Sequence, residues 1–487
     1  MNARLLALAM LALFTAFTFA CGGTDDDGDS DESDDDETND NDDTSADNLD
    51  DDVTDDDAHP SDHGFYQFAP RPSNEIGVFV AKTGDDANPG TMAEPKKTIG
   101  AGVALAEAAG KSVFVAVGTY EESVNSKVSL YGGFNNAFTH RETDLLETVI
   151  AATGEFGVQF ALEESDAPVT LEGFTIRESA AQVQSALAYT AGVYMTGGYA
   201  VIAWNTIFGG AGTRSSNGMN VIDGSIVALG NRITGGAAAS PIRPWSVTGL
   251  IFGGSAADSQ AVLIGNVISA EKAGNGEANR SVGLTAFDLA SATNDGTRIF
   301  AFNNVIRGAE AGASTTVEFW INPHYDTLAR SGAVFVNNVL IVSHGGDGFV
   351  GTVWGLYWMH NIVWGPEAEC LWYFDHWVGF VQYECIETLG EFNRKYDGPK
   401  NLQNISADPL FVGPDDFHLT PESPGIDAGM SLAEFESLDM PWPDTPEPPY
   451  WLPDGLDLET LLAYDADGDP RPYGAGWDIG PDEWTPQ

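Results

Sequence analysis

Six short segments of this chain share one ending: VIAWNTI at 201–207, VALGNRI at 227–233, VLIGNVI at 262–268, FAFNNVI at 300–306, VFVNNVL at 334–340 and GLYWMHNIV at 355–363. Each carries an Asn followed two residues later by Ile, Leu or Val. Asn205, Asn231, Asn266, Asn304, Asn338 and Asn361 are spaced 26, 35, 38, 34 and 23 residues apart. A recurring unit separated by loops of variable length marks a solenoid rather than a set of separate folds. Within the units the apolar residues alternate with period two, so each is read as a strand. With the Asn taken as inward, Val201, Ala203 and Ile207 join Asn205 on the core side, as Val334, Val336 and Leu340 join Asn338. Parallel stacking, one strand per turn, then fills a tube. The Asn residues form an internal ladder at a bend and satisfy one another and the backbone, since buried polar groups need partners.

This pattern resembles the right-handed parallel β-helix of the pectate-lyase-like superfamily, asparagine ladder included, over roughly residues 165–400. The resemblance implies an all-β, right-handed solenoid. It implies no activity, because this fold hosts lyases, hydrolases, adhesins and inert surface proteins. The stretch 78–124 reads as strand, Gly/Asn/Pro-rich turn, short helix and strand. Its helix is expected to lay Ile99, Val103, Leu105 and Ala106 over the open end of the tube. The stretch is similar to the module of unknown function that opens many secreted bacterial β-helix proteins. Segments 407–429 and 465–484 look like the closing segment of choice-of-anchor or polysaccharide-lyase-like surface proteins. The expected plan is a signal at 1–20, a tether at 21–63, a cap and first coils at 64–150, the β-helix at 151–400 and a closing segment at 401–487.

The first 21 residues, MNARLLALAMLALFTAFTFAC, place a basic residue before a short apolar run and a small residue before Cys21. The run is too short for a membrane span. It resembles a bacterial lipoprotein signal, which implies lipidation at Cys21. Gly22 follows where an Asp would favour inner-membrane retention, so the expected location is the outer membrane or cell surface. Residues 25–57 then hold 20 acidic and no basic side chains, a self-repelling spacer without apolar content. Removing those 20 from the 73 acidic residues leaves 53 against 21 basic, a net of −32. A surface this acidic excludes nucleic acid, whose phosphates need clustered Lys and Arg, and disfavours polyanionic glycans. The other two cysteines, Cys370 and Cys385, pair as a disulfide in an exported chain, or else stand as separate thiols.

The candidate binding residues lie around WGLYWMHNIVW. With Asn361 inward, Trp354, Trp358, His360 and Trp364 point outward, as a sugar-stacking platform or as a surface covered by a returning loop. The residues before each ladder Asn, namely Trp204, Gly230, Gly265, Asn303, Asn337 and His360, form a column that runs from small to polar to imidazole. Catalytic signals are sparse. No basic pair recurs at rung spacing and no paired carboxylates announce a glycosidase. His324 and Asp326, in INPHYD, are the candidate acid or base. DADGD puts Asp465, Asp467 and Asp469 at alternate positions, as in calcium loops, but the Glu that completes an EF-hand is replaced by Gly476. Calcium is therefore the candidate cofactor. The reading that follows is a monomeric, lipid-anchored surface β-helix that touches glycan without cleaving it. The alternatives are a polysaccharide lyase or glycoside hydrolase working in a groove of the helix, and a purely structural element.

Overall fold

The computed structural model describes residues 68–486, apart from 144–146, 179–188, 213–214, 237–245, 255–258, 271–280, 289–296, 310–313, 321–331, 344–345, 352–355, 369, 378–380, 396–400 and 439–451. Cys21, the tether, Trp354, His324 and Asp326 fall outside those residues. The chain winds as a right-handed parallel β-helix with three sheets of eleven, nine and ten strands, here called A, B and C. One coil runs through sheet A at Tyr199–Ala203, sheet B at Thr206–Phe208 and sheet C at Ser215–Ile222, and the next begins at Ser225–Leu229. Successive strands pair in parallel and in register, as Val201 with Val227 and Val227 with Val262.

The expected ladder is present and one rung longer. Asn205 Nδ2 donates to Asn231 Oδ1 at 3.0 Å, and the same contact recurs through Asn266, Asn304, Asn338 and Asn361 to Asn404. Each amide also donates to a backbone carbonyl of the preceding coil, as Asn304 to Leu263 O at 2.9 Å. At the other end the ladder stops at Phe174, whose N–H donates to Asn205 Oδ1.

The facing of the sheet A strands is the reverse of the expectation. Ala200 and Ile202 point into the tube, whereas Val201 and Ala203 point out, and their stacked partners follow. The cause is the column before the ladder: Trp204, Gly230, Gly265, Asn303, Asn337, His360 and Gln403 all have left-handed φ, between 48° and 62°. One left-handed residue turns the chain from sheet A to sheet B and breaks the alternation. Parity counted back from the Asn therefore inverts, while Ile207, beyond the Asn, faces inward as expected.

Trp358 accordingly lies inside the tube. It is 1% exposed and packs on Phe335 with ring centroids 4.8 Å apart. With Trp372, which stacks on Phe392 of α2 (Leu389–Lys395) at 4.3 Å, it fills the far end of the core. The near end is closed by α1 (Ile99–Ala109), which buries Ile99, Val103 and Ala106, with Leu105 half-buried, as expected. Thr98 caps α1, and Glu122 accepts from the N–H groups of Ile99 and Gly100. Cys370 and Cys385 are bonded across the hairpin Cys370–Trp377/Val381–Ile386.

The closing segment covers the outer faces of sheets A and B. Helices α3 (Leu432–Glu436) and α4 (Leu458–Leu462) bury the outward column that includes Val262, Phe300 and Val334. Phe417 and Ile479 cover Val305, Val339 and Ile362 on sheet B. Arg232 and Arg307 both approach the Phe417 ring, at 5.7 and 5.6 Å, and both donate to the 414–415 turn. Both arginines thus hold the closing segment through one ring and one turn, although their sequence spacing predicts no basic pair.

Candidate functional site

The left-handed column is the seam on which the closing segment fastens. Asn303 Nδ2 donates to Asp478 O and Gly480 O at 3.1 and 3.0 Å. Asn337 donates to Met430 O and accepts its N–H, at 2.9 and 2.7 Å. His360 Nδ1 donates to Ala428 O at 2.8 Å, and the residue is 6% exposed. The polar end of the column is thus occupied by contacts within the chain. His360 is a docking residue, and Trp364, half-buried, packs among the apolar groups over sheet B. Of the expected platform, Trp358 presents no indole face to a ligand.

The glycine end of the column is different. Gly230 and Gly265 have no side chains to grip the closing segment, and a shallow, open recess remains there. Trp204, Gly230, Gly265 and Asn303 line it from the β-helix, and Tyr464 and Arg471 from the closing segment. Trp204 lies across Gly230: a Cβ at Gly230 would stand 1.9 Å from Trp204 Cζ3. Nothing lies within 4 Å of a Cβ at Gly265. Tyr464 is 43% exposed. Asn303 is 1% exposed; its amide is committed to Asp478 and Gly480, and its Oδ1 is buried with no partner among the described residues. Arg471 is held away from ligands by Glu483 Oε2 at 2.9 Å and Gly480 O at 3.0 Å. Burial pushes the Glu483 carboxyl up to about 7, against the pull of Arg471.

Two aromatic side chains over bare glycines suit a small ligand with a flat apolar face. The sequence gives one hint of this recess, Trp at a left-handed position where Gly and Asn stand in other coils, a strained placement for a bulky residue. Tyr464 and the glycine gap come together only through the docking of the closing segment.

A second groove lies where sheets B and C meet, lined by Glu155, Arg177, Glu178, Thr190 and Phe208 among others. Glu178 Oε2 accepts the Ala211 N–H at 2.8 Å, while Glu178 Oε1 and Thr190 Oγ1 are buried with no partner among the described residues.

The expected calcium loop is redirected. Asp465 is buried; its Oδ1 accepts from the N–H groups of Asp467 and Asp469, both at 2.8 Å, and its Oδ2 from Glu483 N–H at 2.7 Å. Asp465 therefore scaffolds the turn. Asp467 stands with His418 and Asp482 instead, and Asp469 is not among them.

Fold and seam define a right-handed parallel β-helix whose closing segment leaves one aromatic recess. Residues 82–311 match a family described as "Protein of unknown function (DUF1565)". No curated protein matches the chain. Among solved structures, a pectate lyase, Pel9A, is similar at 12% identity and a TM-score of 0.41, covering 85% of this chain and 97% of that one. Pectin methylesterase PemA from Erwinia chrysanthemi is similar at 12% identity and 0.35, covering 70% and 92%. A GH136 lacto-N-biosidase from Eubacterium ramulus follows at 11% and 0.30, covering 60% and 64%.

Proposed function

We propose that this chain is an exported, lipid-anchored surface protein that binds an uncharged glycan in the seam recess without cleaving it. The observation that carries the reading is the meeting of Trp204 and Tyr464 over bare glycines. The enclosed part of the recess is only about 10 Å³, room for one water, so a sugar ring would lie across its mouth with the rest of the glycan in solvent. The acidic surface argues for a neutral ligand. Cys21 and the acidic run fit a lipid anchor and a spacer that holds the β-helix clear of the membrane. The test is a glycan array probed with wild type, Trp204→Ala and Trp358→Ala. Loss in Trp204→Ala supports the reading. An unchanged profile, or no binding by the wild type, sinks it and leaves a structural surface element. Cys21→Ala tests the anchor, because the protein should leave the membrane fraction.

A second reading, a carbohydrate-active enzyme, is favoured by the groove at the meeting of sheets B and C. Two carboxylates, Glu155 and Glu178, line it. Depolymerisation of any array hit that Glu178→Gln abolishes would establish it in place of the first.

A further inference from the structure

Away from the recess, the closing segment gathers His418 among carboxylates. His418 Nδ1 is bonded to Asp416 Oδ1, and Nε2 lies 3.0 Å from Asp467 Oδ2. Donor atoms of His418, Asp467 and Asp482 all lie within 4.8 Å of one another. Asp482 is 6% exposed; its Oδ2 accepts the Leu419 N–H at 2.6 Å, and its Oδ1 has no donor among the described residues.

A carboxylate can only accept. Asp416 therefore fixes a proton on Nδ1 and turns Nε2 toward Asp467. Two lone pairs 3.0 Å apart repel unless a cation sits between them. One proton on Nε2 would satisfy Asp467 and leave the Asp482 carboxylate, within reach of both, without a share of it. A divalent ion answers all three donors at once.

We propose that His418, Asp467 and Asp482 bind one divalent transition ion of the zinc type, with water in the remaining position and Asp416 as the positioning residue. One imidazole and two carboxylates match zinc's N/O ligand set, whereas calcium and magnesium take oxygen ligands. Tetrahedral bonds of about 2.0–2.2 Å place donors roughly 3.4 Å apart. Asp467, half-exposed at the end of the turn that Asp465 holds, has the freedom to close that gap. Asp416 on Nδ1 supplies the outer partner that orients a metal-bound imidazole. Binding displaces the Nε2 proton where one is present. The ion would tie together residues 416–419, 465–469 and 482, three separate stretches of the closing segment.

The test is calorimetric titration of chelator-stripped protein with zinc chloride, in excess calcium so that the run at 25–57 is masked. The expected result is one zinc per chain. His418→Ala should weaken binding at least about 100-fold, and Asp416→Asn about 10- to 100-fold. His418 is half-exposed, and unchanged metal-free melting of each variant shows that the fold is intact. X-ray absorption on the zinc-loaded protein should show a single imidazole. Equal zinc binding by wild type and His418→Ala, or no stoichiometric zinc binding in excess calcium, overturns the proposal. It stands or falls independently of glycan binding.

Discussion

The six-membered ring of Trp204 occupies the space that any side chain at Gly230 would need, 1.9 Å from an added Cβ. Trp204 and Gly230 are consecutive members of the left-handed column, so one wall of the recess depends on the next coil's lack of a side chain. Gly230→Ala should therefore both strain a left-handed backbone, at about 1–2 kcal/mol, and displace the indole. Gly265→Ala carries the backbone term alone, because its Cβ meets nothing within 4 Å. Chemical denaturation of the two variants should show Gly230→Ala the less stable, with Trp204 fluorescence shifted only there. Equal destabilisation would mean that the indole moves aside freely.

Trp358 and Trp204 should separate cleanly. Trp358→Ala empties the core beside Phe335 and should cost about 3–5 kcal/mol. Trp204→Ala should leave stability nearer the wild type and affect ligand binding instead. Denaturation midpoints of both variants are the check. A Trp358→Ala protein as stable as wild type would contradict the buried placement.

The ladder, the tube and the capping helix were legible because each rests on a local pattern: Asn at rung spacing, period-two strands, and an apolar helix face between a Thr cap and a Gly stop. Facing was not legible, for a physical reason. Both faces of sheet A are buried, one by the tube and one by the closing segment, so Val201 and Ile202 show no polar contrast that would set the parity. The recess was illegible for a related reason: Tyr464 lies 260 residues from Trp204 along the chain, and no repeat links them. Asn404 escaped because Ser406 stands where the other units have Ile, Leu or Val. Gly192, Gly218, Gly249 and Gly283 also went unnoticed. A Cβ at each would strike an interior Ile at 2.5–3.0 Å.

Arg141 and Glu172 form a buried ion pair at 2.9 Å, with side chains 8% and 0% exposed. Arg141→Met should cost about 3–5 kcal/mol by stranding the carboxylate, more than the later loss of both charges together. Burial raises the Glu172 carboxyl above its ordinary 4.5, and Arg141 pulls it back. A raised carboxyl favours folding below that ordinary value and loses its contribution as pH rises through the folded value. Glu172→Gln should therefore gain stability relative to wild type as pH increases from about 4 to 8. A difference in unfolding free energy that does not change with pH would refute the raised value.

The strongest test of the architecture is the middle of the ladder. Asn304 donates to Leu263 O, Phe302 O and Asn338 Oδ1, and its Oδ1 accepts both the N–H and the amide of Asn266. Asn304→Ala leaves those donors and carbonyls buried with nothing in reach, at about 1–3 kcal/mol for each group left unsatisfied. Asn404 ends the ladder: it receives the N–H and amide of Asn361 and donates to Trp358 O and Asn401 Oδ1, the last part-buried, with no further Asn stacked on it. Its loss strands fewer groups, beside a coil end that water can reach more easily. Asn304→Ala should thus lower the unfolding midpoint well beyond Asn404→Ala, and hydrogen exchange should rise first at the Asn266 and Asn304 amides. Equal effects at the two positions would mean that the stacked amides act as independent bonds and not as a continuous ladder.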